Sequence, residues 1–194
     1  MLALSPPPVP NRPRTVLVAT SLVVAGAAAL MGGMLGIYMH LRDAAGGTTA
    51  AWLPKGVQIP GIATNIMLVT MVGASVMAQW AVYAIARDNR RDAAIALSLT
   101  AVFGVAVVNA QAFTYLQMKM PVDKEQYAVL VYSITGTFLA LVIAGMVFAA
   151  VMAFRSVGGR AGAGRHEGIS ATALYWHFLT VAYAAIWYFI YVVK

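Results

Sequence analysis

The side chains able to do chemistry in this sequence are few and mostly neutral. Within its long apolar stretches the polar residues are Asn65, Gln79, Asn109, Gln111 and His177, with scattered serines and threonines. Cysteine is absent from the sequence, which excludes disulfides, thiolate metal sites and thiol nucleophiles. Three histidines, His40, His166 and His177, fall in or beside three different segments. A haem or copper centre held by several imidazoles cannot be gathered from such a scatter. No residue is therefore assigned as catalytic, cofactor-binding or metal-ligating, and this chain alone is expected to bind neither haem nor copper.

Ionisable groups buried in an apolar phase are costly and usually mark ion or proton paths. Every Asp, Glu, Lys and Arg here lies outside the apolar stretches or within a residue or two of their ends. A proton pump, an ion-coupled transporter or a voltage sensor would lack its working group. The buried amides and His177 have a plainer use as hydrogen bonds between helices, worth about 0.6 kcal/mol each on average in membrane proteins. The competing use is a neutral polar path through the bundle. Asn109 and Gln111 are two residues apart on one helix and point in different directions, so they cannot both line it.

The elements that carry these groups follow from composition. Of 194 residues, 61% are hydrophobic and 10% charged, where a soluble domain carries about 25% charged residues. A water-facing surface cannot be built from that, and lipid is the natural solvent. Apolar runs at about 15–40, 62–86, 93–116, 127–154 and 171–193 each match the ~20 residues that span a hydrocarbon core. None shows the alternation of a barrel strand. The expected fold is all-α, a polytopic transmembrane bundle of about five helices. Its single domain covers 15–194 behind a proline-rich tail at 1–14, where the prolines forbid a helix.

The net charge of +7 sits in the loops rather than on a stripe with interleaved aromatics, which argues against nucleic acid. One side carries Arg12, Arg14, Arg87, Arg90, Arg91, Arg155, Arg160 and Arg165; the other carries Arg42, Lys55, Lys119, Lys124 and Lys194. The richer side is expected in the cytoplasm, with the N-terminus inside and the C-terminus outside. In the first helix Ala25, Ala29 and Gly33 form one row of small residues, and Ala28, Gly32 and Gly36 another. Such rows let backbones approach closely. They suit a helix pressed between its own bundle and a partner subunit, or one buried inside the bundle. The last span is the most aromatic, with Tyr175, Trp176, Tyr183, Trp187, Tyr188 and Tyr191, read as interfacial belts at its ends and packing between.

An ordered series of short motifs then resembles subunit III of haem-copper oxidases, the cytochrome c and quinol oxidase family, in a five-helix form. In order these are His40 closing the first helix; Trp52, Pro54 and Gly56; and Ile59-Pro60 leading to Asn65. Asn89-Arg90, Gly104 with Gln111-Ala112 and Tyr115, Thr135-Gly136, and Tyr175-Trp176-His177-Phe178 follow. The agreement covers roughly residues 20–194. Where the family has ionisable residues, this chain has Ala27, Thr114, Phe138, Leu141, Ser170 and Thr180.

The resemblance implies a non-catalytic accessory subunit of a respiratory oxidase, a component of an oxidoreductase complex. It would stabilise catalytic subunit I, with subunit II as a further partner, and bind phospholipid between its helices. Haem and copper would belong to a partner subunit, and the setting would be the cell's inner (plasma) membrane. Trp52, Asn65, Gly33, Gln111, Tyr175, Trp176 and His177 are the candidate lipid or subunit-interface residues. The alternatives are a similar subunit beside a nitric oxide reductase, or a small transporter or assembly protein. Five spans do not halve into a repeat and none is broken by proline, which weighs against a transporter.

Overall fold

A computed structural model describes residues 14–48, 52–54, 57, 59–118, 120, 126–162 and 166–193. The proline-rich tail expected at 1–14 lies outside them except for Arg14, as do Gly56, Lys55 and the other loop lysines. Five helices follow: α1 Thr15–Ala44, α2 Gly61–Ala86, α3 Arg90–Met118, α4 Gln126–Val157 and α5 Glu167–Ile186. A π-helical segment, Trp187–Val192, continues α5. All five are long and apolar enough to cross a membrane, and the fold is an all-α polytopic bundle.

The helices run past the apolar runs into charged residues, and side-chain hydrogen bonds show why. Asn89 caps α3: its Oδ1 accepts from the Asp92 backbone N–H at 3.2 Å, while its Nδ2 donates to the Asp92 carboxylate at 2.7 Å. One helix-end donor, the Asp92 N–H, is thus satisfied, and the side-chain pair holds the cap in place before the apolar segment begins. Glu167 opens α5 and also accepts the Leu17 backbone N–H at 2.8 Å, so one carboxylate fastens the starts of α1 and α5 together. At the opposite end Arg42 donates to the Val193 carbonyl at 3.2 Å, which ties the last turn of α1 to the end of the π segment.

α5 is the central helix, packing against α1, α2 and α4, while α3 packs between α2 and α4. In α5, 44% of the most apolar window is buried, against 11% in α1. The fully buried residues of α1 form one line, Ala27, Met31, Leu35 and Tyr38, at the i, i+4, i+8, i+11 spacing of a single helix face. Its rows of small residues face outward instead of into this chain, and a Cβ placed on Gly33 would meet nothing within 4 Å.

Gly145 behaves differently. A Cβ there would stand 3.0 Å from the Tyr175 ring and 3.1 Å from Leu179, because α4 and α5 meet backbone to side chain at that level. With no hydrophobic drive between helices in lipid, close contact of this kind is a main source of association. Gly145→Val is expected to destabilise the bundle by about 1–3 kcal/mol through overpacking, measured as the shift of thermal unfolding in mild detergent. An unshifted transition would show that α4 and α5 are not held in register at this contact.

Candidate functional site

The polar groups of the spans converge on the seam between α2 and α5. His177, half-buried, stands over Ser75 and Gln79, which are one helical turn apart on α2. Its Nδ1 hydrogen-bonds with Ser75 Oγ, and its Nε2 with Gln79 Oε1 at 3.0 Å. With the amide oxygen facing the ring, Nε2–H donates to Gln79 and Nδ1 accepts from the Ser75 hydroxyl. The neutral imidazole therefore has both nitrogens satisfied.

Three further links continue along the same face of α5. Thr180 Oγ1 donates to the Met71 carbonyl at 3.0 Å, and Tyr183 Oη donates to the Thr64 carbonyl at 3.0 Å. Trp187 Nε1 donates to Asn65 Oδ1 at 2.7 Å. Positions 177, 180, 183 and 187 advance by three or four residues, which keeps them on one stripe of the helix. The partners run backwards from Gln79 to Thr64, as two antiparallel helices require. Asn65 and His177 thus belong to one ladder whose rungs at Ser75, Tyr183 and Trp187 were not anticipated from sequence. A serine or tyrosine in an apolar run carries no periodic signal of its own, although the i, i+4 spacing of Ser75 and Gln79 could have suggested a shared partner.

The remaining candidates take other places. Tyr175 donates its hydroxyl to the Leu141 carbonyl of α4 at 3.0 Å, and the fully buried Trp176 would stand 3.0 Å from a Cβ on Gly104 of α3. These two adjacent residues join α5 to its other neighbours. Trp52 lies at the far end, packed edge-on against Tyr38 and Tyr127 with centroids 5.6 and 5.8 Å away. Gln111 is fully buried on α3 near Tyr115 and Tyr191, whereas Asn109 is exposed. Gly33 is on the open face of α1. The seven candidates therefore do not form one pocket.

Ala27, Thr114 and Phe138, where the resemblance implies ionisable groups, make neutral contacts. Phe138 stacks on Tyr183 with centroids 5.4 Å apart, Ala27 is buried in the α1 contact line, and Thr114 bonds its own helix at Ala110. His40 is exposed near the end of α1 opposite to His166, and His177 has no free nitrogen. These residues do not fit axial ligation of a haem or an imidazole-bound copper. Among the described residues no three His, Asp or Glu side chains come together.

Removing the imidazole leaves Ser75 and Gln79 of α2 without their partner on α5. His177→Ala is expected to lower stability by about 1–2 kcal/mol, the loss of two interhelical hydrogen bonds in an apolar setting. Unfolding in mixed detergent measures this, and a loss restricted to His177→Ala and absent from Asn109→Ala would tie it to the seam.

Comparison with known proteins adds the lineage. The family model for cytochrome c oxidase subunit III matches residues 37–194. The cytochrome c oxidase subunit 3 of Prototheca wickerhamii is 36% identical over 149 residues, 74% of this chain and 54% of that protein. A probable cytochrome c oxidase subunit 3 of Rickettsia conorii is 34% identical over 137 residues, covering 69% and 47% respectively. That of Scyliorhinus canicula is 31% identical over 147 residues, covering 73% and 53%. The chain spans about half the length of the curated relatives it matches. The series of motifs from His40 to Phe178, five membrane-length helices and these matches together show that the chain belongs to the cytochrome c oxidase subunit III family and is a multi-pass membrane protein.

Proposed function

We propose that this chain is a non-catalytic accessory subunit of a respiratory haem-copper oxidase, lying against catalytic subunit I and subunit II and stabilising them through packing and bound phospholipid. The observation that carries the reading is the open face of α1. A helix joined to its bundle by one line of contacts, with two rows of alanine and glycine turned outward, presents the surface that a second transmembrane helix packs against. Matches named as oxidase subunits favour an oxidase over a nitric oxide reductase.

A packing role accords with the chemistry of the interior. Ionisable side chains of the helices sit at their ends, as Arg42, Asp92 and Glu167 do, and the central His177 is held between two neutral partners. Nothing in the middle of the bundle offers a carboxylate to carry a proton. Haem and copper would then lie in the partner. The described residues at the end containing Arg14, Arg87, Arg90, Arg91, Arg155 and Arg160 would face the cytoplasm, with the N-terminus inside. The complex would occupy the inner (plasma) membrane.

Purification from native membranes in mild detergent tests this. A haem-bearing partner is expected to accompany the parent chain. Because position 33 is exposed and a Cβ there meets nothing within 4 Å, Gly33→Leu should leave its own unfolding transition in place. Partner and haem absorbance should nevertheless be lost, along with the complex's oxidase activity. His177→Ala in a complex that stays assembled should retain the parental dependence of turnover on pH. A colourless parent chain, or Gly33→Leu retaining its partner, would overturn the reading.

A further inference from the structure

At the end of the bundle opposite to the arginines, polar atoms from several elements are buried without a hydrogen-bond partner among the described residues. They are the hydroxyls of Tyr38 on α1, Tyr127 on α4 and Tyr191 in the π segment, the indole N–H of Trp52 in the α1–α2 connection, and both amide atoms of Gln111 on α3. Tyr38 and Gln111 are 0% exposed, and Trp52, the most exposed of the set, only 8%. We infer that these side chains enclose ordered water molecules, an internal hydration site in this half of the bundle. The inference concerns the chain's own interior and does not depend on which subunits it assembles with.

The groups are contiguous. Tyr38, Trp52 and Tyr127 form a triangle of rings with centroids 5.6, 5.8 and 6.2 Å apart. Tyr191 interacts with Tyr127 and Tyr38 on one side and with Gln111 on the other, and Gln111 lies beside Tyr115. Each polar atom thus has others nearby, yet none is aligned for a direct hydrogen bond. Tyr115 does not remove the shortfall. Thr135 Oγ1 donates to the Val131 carbonyl, so the Tyr115 hydroxyl commits its proton to Thr135 at 2.6 Å and has only lone pairs left to offer.

Depth and chemistry select water. From Gln111 to Met118 α3 rises about 10 Å at 1.5 Å per residue. A centred helix of 29 residues overhangs the ~30 Å hydrocarbon core by about 7 Å at each end. The Gln111 amide therefore lies below the surface of the hydrocarbon layer, beyond bulk water. Buried polar groups in folded proteins are nearly always paired, and in lipid an unmade bond has no compensation. A lipid chain would leave every one of these groups unmet. A water molecule both donates and accepts, so it can take the proton of an indole or hydroxyl while donating to an amide oxygen, and buried waters typically hold about three such partners.

X-ray radiolytic labelling of the protein, purified from native membranes into nanodiscs, provides the test. Hydroxyl radicals made from a bound water modify the side chains that it touches, and mass spectrometry reads the modified residues. Tyr175 is the dry reference, since it is as buried as Tyr191 at 5% and its hydroxyl is already bonded to the Leu141 carbonyl. Tyr38, Tyr127 and Tyr191 should be modified several-fold more than Tyr175. Gln111→Leu, which replaces the amide by an apolar group of similar size, should bring Tyr191 down to the level of Tyr175. Tyr191→Phe deletes a single hydroxyl, keeps the test open should Gln111→Leu fail to fold, and should lower the labelling of Tyr127. In water enriched in oxygen-18 the heavy label should enter these tyrosines more slowly than it enters exposed residues. Labelling of all three at the Tyr175 level would overturn the inference, because the side chains would then bond one another directly. Uptake of oxygen-18 as fast as at exposed residues would overturn it too, by showing an open crevice instead of an enclosed site.

Discussion

In lipid a polar side chain has no water to fall back on, and apolar side chains gain little by leaving one hydrocarbon environment for another. The hydrogen bonds from α5 to α2 answer both conditions, because they satisfy the polar groups and fix the two helices in one register. His177 reaches Ser75 and Gln79, Thr180 reaches Met71, and Tyr183 and Trp187 reach the adjacent Thr64 and Asn65, a broadly antiparallel order. A shift of one turn would strand several of these groups at once. With α5 held in this way, Tyr175 and Trp176 on its other sides position α4 and α3, and Glu167 and Arg42 fasten α1 at its two ends.

The π-helical segment at Trp187–Val192 belongs to the same arrangement. A π turn makes i to i+5 bonds, and the Val193 N–H accordingly bonds the Tyr188 carbonyl at 2.9 Å. The widened turn offsets the residues after it relative to an α-helix. Trp187 then meets Asn65 while Tyr191 is turned inward and buried. Exposed Tyr188 and buried Tyr183 agree with belts at the ends of this helix and packing between, whereas Tyr175, Trp176 and Tyr191 near the ends are buried.

Phe138 against Tyr183, and Thr180 against the Met71 carbonyl, join helices through neutral contacts. Each keeps two helices in contact without a titrating group. The charge is concentrated at the helix ends, where Arg90 and Arg91 open α3.

Several features were legible in the sequence because they are local or cumulative. Apolar length set the number of helices, and scarcity of charge set the solvent. The motif series from His40 to Phe178 marked the family, and the two-residue separation of Asn109 and Gln111 placed them on different faces. Helix ends were less legible, since Asn89 caps α3 and Glu167 at the start of α5 bonds the start of α1, contacts that hydropathy does not register. The direction of the small-residue rows of α1 also needed the tertiary structure. A row of glycine and alanine permits close approach on any side, and only the position of α5 against Ala27, Met31, Leu35 and Tyr38 decided that those rows face outward. The partner of His177 was likewise undetermined, because residues about a hundred positions apart are brought together by helix packing, and a one-dimensional pattern holds no distance between them.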